Sequence, residues 1–326
     1  MASVYGTKLK LSVFGESHGA AIGCVIDGFP AGMKLDDEYI AAFMKRRAPG
    51  GQFSTKRVEP DVPRILSGVS DGYTNGYPIS VVIENTNQRS SSYQDKMTVP
   101  RPSHADYAAS VKYGDHVELH GGGHFSGRLT APLVFAGALS SLYLREKGVE
   151  IAAHIRQMLN VSDRAFDGAV SADELRELKT HVFPTLDPMA AEAFATIINS
   201  ARDRGDSVGA KLECAAVGLP AALGEHMFES VEAEISQLMF AIPAVKGIEF
   251  GAGFDFCRMY GSEANDAYEY VGGKVVTKTN HCGGITGGMT TGRHDPCIAV
   301  RAVPVVEACT AIALTSLMLK SDGRKL

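Results

Sequence analysis

Histidine, serine and arginine set beside glycine or proline are the residues here with the means for chemistry. His18 stands in Gly15-Glu16-Ser17-His18-Gly19, His104 in Arg101-Pro102-Ser103-His104, and Ser126 and Arg128 follow the triple glycine Gly121–Gly123. An imidazole is poised near neutral pH to give or take a proton. The run at Gly15 also matches G-x-S-x-G, the nucleophile elbow of serine hydrolases. Ser17 is therefore one candidate nucleophile. Against it, Ala20–Ile26 continues as a second extended segment instead of a helix, and no histidine follows Asp295 to complete the order Ser, Asp, His.

His116, His120 and His124 are four apart, as metal ligands on one helix face would be. Gly121–Gly123 interrupts that span, and glycine breaks helices, so no metal site is expected. Arg46, Arg47, Arg57, Arg64, Arg89, Arg101, Arg128, Arg293 and Arg301 fall mostly in turn-rich or glycine-flanked segments. Guanidinium groups so placed clamp phosphate or carboxylate bidentately. Basic loops on an acidic chain suggest a focused site for a small polyanion.

The elements that must position these groups alternate between strand and helix. Strands are expected at Lys8–Phe14, Gly23–Ile26, Arg64–Leu66 and Ile79–Ile83, and a helix from the acidic Asp36–Glu38 to Arg47. Ser103 with Asp106 reads as a capping-box-like start for a helix through Lys112, and Ser126–Lys147 as an apolar helix. A polar helical region, 160–204, has Asp187-Pro188 as cap and first helical residue. Beyond it come strand Val208–Val217, helix Phe228–Phe240, strand Ile248–Phe250, a glycine-dense tract to Gly292, strand Cys297–Val303 and helix Val305–Leu319. Hairpin-like strand pairs argue against a purely parallel sheet. The expected class is α+β or mixed α/β, in a single domain over 1–326.

Composition excludes several alternatives. Hydrophobic residues are 45% and charged residues 21% of 326, which rules out a disordered chain. A net charge of −5 gives no bulk attraction to nucleic acid or anionic membrane. Leu129–Leu144 is short for a bilayer span, and Ala302–Leu319 holds Pro304 and Glu307, so both read as core helices. Six scattered cysteines without a C-x-x-C pair, and a start lacking an apolar signal run, suggest reduced thiols in a cytoplasm. Neither G-x-G-x-x-G nor a P-loop is present among the 35 glycines.

Five blocks occur in order: Phe14-Gly-Glu-Ser-His-Gly19, Arg101-Pro-Ser-His-Ala-Asp-Tyr107, Gly121-Gly-Gly-His-Phe-Ser-Gly-Arg-Leu-Thr130, Gly283-Gly-Ile-Thr-Gly-Gly288 and Gly292-Arg-His-Asp-Pro-Cys297. Together with Asn85-Thr-Asn-Gln-Arg89, Phe250–Phe254 and Arg301–Glu307, they closely resemble the chorismate synthase family along essentially the whole chain. The resemblance implies an anti-1,4-elimination of phosphate from 5-enolpyruvylshikimate 3-phosphate to give chorismate, the last step of the shikimate pathway. It implies dependence on reduced FMN (FMNH2), with NADPH serving only indirectly to reduce the flavin, and a flavin reductase as a partner. It further implies a homotetramer and a β-α-β sandwich with helices between antiparallel sheets.

By motif position, the resemblance makes His18 the acid assisting phosphate departure and His104 the residue that protonates or stabilises the reduced flavin. Ser17, Ser126 and Asp295 match the relay around flavin N5. Arg46, Arg47, Arg57 and Arg128 fall at substrate-binding positions, and Ala244, Gly287 and Arg293 at flavin-contacting ones. His124, Phe125 and Ser126 fall in the cofactor-binding block, where His124-Phe125 replaces the Arg-Ser of many members. Ser103 replaces a common glycine, and Gln52-Phe53 stands where a basic position is usual. The largest departure is a short connection. Only Met289–Thr291 and the shared Gly292 separate the last two blocks, where members carry a long stretch with a flavin-contacting Lys-Pro-x-x-Ser-like segment. The expected reading is that a flexible flavin-binding segment is missing from this sequence and not from the natural protein. An over-long Cα step between Gly288 and Arg293 would reveal it, whereas steps of about 3.8 Å would mean a real deletion and poor FMN affinity. A serine hydrolase and a non-catalytic flavin- or phosphate-binding protein are the other readings.

Overall fold

In this computed structural model, residues 3–48, 59–86, 99–166, 170–292 and 302–322 are described. The expected positions of Arg57, Arg293 and Asp295, and most of the strand expected at Cys297–Val303, lie outside them. The chain divides into two compact units, Met1–Leu139 and Ser140–Leu326.

The first unit is built on a five-stranded antiparallel sheet. Its strands are β1 (Val4–Tyr5), β2 (Lys10–Gly15), β3 (Ala21–Asp27), β4 (Pro63–Ser67) and, beyond the small pair β5 (Val69–Ser70) and β6 (Tyr73–Thr74), β7 (Ile79–Glu84). They are ordered β1-β2-β3-β7-β4. In β7, Ile79, Val81 and Ile83 point inward and alternate with more exposed neighbours, the period of two expected of a half-buried strand. β2 and β3 form a tight hairpin in which Gly15 pairs with Ile22. Ser17 and His18 therefore sit on a strand-to-strand turn and not on a strand-to-helix elbow, which removes the structural basis of the hydrolase reading.

Helix α1 (Asp37–Arg47) begins where Asp36 accepts a 2.9 Å hydrogen bond from the Tyr39 amide. Its acidic first turn and its basic last turn (Lys45, Arg46, Arg47) both suit the helix dipole. Ile40, Phe43 and Met44, one face at helical spacing, are buried. Helix α2 (Asp106–Tyr113) corrects the Ser103 cap: no side chain caps it, and Ser103 lies at φ +59. Asp106 is instead taken up by Arg101.

Helix α3 (Thr130–Glu146) runs through the boundary between the units, with its apolar side chains almost wholly buried. In the second unit, β8 (Glu150–Met158) lies between β9 (Val161–Ser162) and β10 (Ala210–Val217) in an antiparallel sheet. Helices α4 (Ala172–Leu178) and α5 (Pro188–Asp203) come between β9 and β10, and α6 (Val231–Met239) follows. α4 opens on a Ser171–Glu174 capping box, and α5 on Asp187 with Pro188 in its first turn. α7 (Gly261–Ala264), the ribbon β11 (Tyr268–Val271) with β12 (Lys274–Thr277), and the hairpin β13 (Ile285–Thr286) with β14 (Met289–Thr290) precede α8 (Val303–Asp322). Residues 248–250 form only a single bridge position, so the strand expected there is absent. Val303 begins a helix instead of ending a strand.

α8 is long and apolar enough to cross a membrane, but it is buried, packed against α6 and β8. Its Glu307, fully buried, accepts a 2.9 Å hydrogen bond from the Ala153 amide of β8. Under the same sheet, His154 of β8 lies between Asp163 (Nδ1, 3.0 Å) and Glu213 (Nε2, 2.9 Å), with Phe166 edge-on to its ring. Among the described residues all sheets are antiparallel and interspersed with helices, an α+β fold.

Candidate active site

The turn between β2 and β3 is held from two sides. The Ser17 amide donates to the Gly123 carbonyl at 3.0 Å. From the other side Asn85, just past β7, donates from Nδ2 to the carbonyls of Glu16 (3.0 Å) and Gly19 (2.8 Å). Ser17 is buried at 1% exposure, and the His18 ring lies against the backbone of Gly121. Gly121 and Gly122 have φ of +59 and +93, which suits glycine and breaks the His116–His120–His124 face. Among the described residues no group of three or more His, Cys, Asp or Glu could hold a metal.

His124 turns into this framework. Its Nδ1 donates to the Gly15 carbonyl at 2.8 Å, and its Nε2 lies 2.9 Å from the Ser3 hydroxyl. Phe125 is exposed, with its ring centroid 6.3 Å from that of Tyr113. The Ser126 hydroxyl accepts from the Arg128 amide at 3.3 Å and caps a single 3₁₀ turn leading into α3.

Two of the expected anion-binding arginines converge on one carboxylate. Asp61, fully buried with φ +48, bridges them, accepting from Arg47 through one oxygen and from Arg128 through the other. Arg47 comes from the last turn of α1 and also donates to Thr130 Oγ1 at 3.1 Å. Arg128 is 6% exposed; its second terminal nitrogen meets Glu59 at 2.6 Å, and its Nε donates to Asn85 Oδ1 at 3.0 Å. Arg46, one residue earlier on α1, lies over the Phe43 ring with its guanidinium carbon 5.7 Å from the centroid. Glu59, Asp61 and Asn85 were not singled out as site residues from the sequence. Asn85 opens the family-like block Asn85-Thr-Asn-Gln-Arg89, but nothing in its spacing or in that of Glu59 and Asp61 points to Arg128.

His104 is exposed, at the start of the short segment leading into α2. Arg101 fixes that segment, donating its Nε and a terminal nitrogen to Asp106 at 2.7 and 2.8 Å and its backbone amide at 3.0 Å. These hydrogen bonds hold the Asp106 carboxyl down at about 2. Near His18, burial alone would raise Glu118, but hydrogen bonds from the His120 amide and ring (2.7 and 2.5 Å) pull it below the usual range. Glu118 stays ionised there, an acidic neighbour for the His18 imidazole.

In the second unit, Ala244 and Gly287 are both exposed, with φ of +69 and +62. A Cβ on Gly287 would meet nothing within 4 Å, so its backbone faces open space. Gly287 and Gly288 close the β13–β14 hairpin, which is zipped by Thr286↔Met289 pairing and continued by a 2.8 Å bond from the Thr291 amide to Gly284. The chain thus passes directly from Gly288 to Gly292 through a closed hairpin.

A family model described as chorismate synthase matches residues 9–293. Chorismate synthase from Pyrococcus abyssi is 40% identical over 350 residues, covering 96% of this chain and 97% of that protein. The Thermococcus kodakarensis enzyme is 38% identical and covers 97% of each chain, and that of Lancefieldella parvula is 38% identical at 96% and 95%. A crystal structure of chorismate synthase superposes with a TM-score of 0.82 at 26% identity, covering 97% of this chain and 93% of the other. The alignment with the Pyrococcus protein is longer than the 326 residues of this chain, so relatives carry segments that this one lacks. Matched along nearly all its length by the family model, by relatives at close to 40% identity and by the fold of a solved member, the chain belongs to the chorismate synthase family.

Proposed function

We propose that this lyase of the shikimate pathway converts 5-enolpyruvylshikimate 3-phosphate to chorismate through the turn that carries Ser17 and His18. The observation that supports this most is the bracing of that turn by Asn85 and Gly123 beside the arginine pair Arg47 and Arg128. An acid fixed to a rigid turn next to cationic side chains is what loss of a phosphate requires. His18 gives its proton to the departing phosphate. Arg46, Arg47 and Arg57 attract and orient the polyanion, with Arg128 behind them.

The net reaction breaks one C–O bond and one C–H bond and forms one C=C bond, with no net oxidation. Reduced FMN, when bound, would supply an electron-rich ring to assist the elimination. His104 and the relay residues Ser17, Ser126 and Asp295 manage protons around that ring. His124, Phe125, Ser126, Ala244, Gly287 and Arg293 would hold it. NADPH serves only indirectly, to reduce the flavin, whether on this protein or through a flavin reductase; the active form is a homotetramer, and the setting is the cytoplasm. Incubation with substrate under anaerobic conditions and either reduced or oxidised FMN tests the reading: chorismate should form only with the reduced cofactor. Equal product with both, or none with either, contradicts it.

A further inference from the structure

The Asn85 side chain joins the buried arginine to the turn carrying the acid. Its amide is used completely: Oδ1 accepts from Arg128 Nε at 3.0 Å, and the two Nδ2 hydrogens reach the carbonyls of Glu16 (3.0 Å) and Gly19 (2.8 Å). Its own backbone amide donates to Ala20 at 3.1 Å. The orientation is forced, since a flipped amide would set an NH2 against Arg128 Nε–H and an oxygen against two carbonyls. The residue is 9% exposed, so water is a poor substitute.

Arg128 is fixed in turn by Asp61 and Glu59, and Asp61 shares its other oxygen with Arg47. The chain of contacts runs Arg47–Asp61–Arg128–Asn85 and ends on the two carbonyls that flank Ser17 and His18. We infer that Asn85, with Asp61 behind it, is a positioning residue of the reaction: it sets the His18 turn in register with the arginine pair, so that the group that binds the anion and the group that protonates it move as one unit. The inference rests on His18 being the acid. No other amino acid of similar size offers one acceptor and two donors in this arrangement. Aspartate keeps the acceptor for Arg128 but turns a lone pair toward each turn carbonyl. Serine keeps at most one of the three bonds.

The test uses Asn85→Asp and Asn85→Ser in the full-length protein, with melting temperatures and active-site titration to correct for folded fraction. Both should lower kcat by roughly 10²-fold, the scale expected when a reacting group is displaced by about an ångström, with KM changing less than about threefold. The pH profile of kcat should move along the pH axis, whereas a merely structural defect scales it vertically.

An independent reading needs no turnover. In protein carrying ¹³C-histidine, the His18 Cε1–H resonance, assigned with His18→Gln, should be displaced in both variants, and its titration curve with it. If one variant fails to fold, the other decides. A superimposable His18 resonance, or kcat within threefold of wild type in a folded variant, overturns the inference. If the wild type itself does not turn over the substrate, the reaction assignment fails and the resonance alone decides the positioning claim.

Discussion

A Cβ on residue 121 would lie 1.9 Å from Cε1 and 2.0 Å from Nδ1 of the His18 ring. Gly121 is therefore the floor on which the imidazole rests, and no side chain can be added there without moving it. Its φ of +59 adds backbone strain to the steric clash. Gly121→Ala should lower kcat by roughly 10²-fold, as a displaced acid would, with a much smaller effect on the melting temperature. Steady-state kinetics and thermal unfolding on one preparation check this, and near-wild-type kcat would show that the ring does not need that floor.

Removing either imidazole should matter more than crowding one. His18→Ala and His104→Ala should each reduce turnover by roughly 10²–10⁴-fold, the usual contribution of a positioned acid or base. A variant within tenfold of wild type loses its assigned role.

The buried His154 predicts a pH-dependent stability. Burial by itself would lower it, but the hydrogen bonds its ring donates to Asp163 and Glu213 hold it above its ordinary value. A raised folded-state pKa gives stability that is fully present below the unfolded value of about 6.5 and is lost as pH rises through the folded one. The stability gap between wild type and His154→Gln should therefore be widest below pH 6 and shrink as pH rises above 6.5. Urea midpoints at several pH values check this, and a constant gap would contradict it.

The Arg101–Asp106 pair behaves in the opposite sense. With Asp106 held at about 2, its contribution is present above the ordinary carboxylate range and is lost only as pH falls toward 2. Asp106→Asn should loosen the 101–106 segment and reduce activity through His104, while leaving folding near pH 7 little changed, as expected for a partly exposed pair. Hydrogen exchange at the His104 amide, which donates to Arg101 at 3.3 Å, should speed up in this variant. Unchanged exchange would contradict it.

Much of this was legible in the chain. The β2–β3 hairpin, the acidic start of α1, the Asp187-Pro188 opening of α5 and the glycine break through the three histidines all follow from local chemistry that the structure repeats. β8 was not anticipated. It is buried along most of its length, so Ile151, Ala152, Ala153, His154 and Ile155 give no period-two alternation. The Ser103 cap failed because Asp106 had a stronger partner in Arg101 than a serine amide would be. The roles of Glu59, Asp61 and Asn85 were hidden for another reason: they lie in contacts across 43 to 69 residues with Arg128, and no short spacing encodes that, even though Asn85 opens one of the family-like blocks.

The most direct measurement mixes the full-length protein with reduced FMN and 5-enolpyruvylshikimate 3-phosphate anaerobically and follows phosphate release. Catalytic release with chorismate formed in equal amount, and its near-abolition in His18→Ala, is the predicted result. No phosphate above the protein-free rate, or release undiminished without His18, would contradict the account.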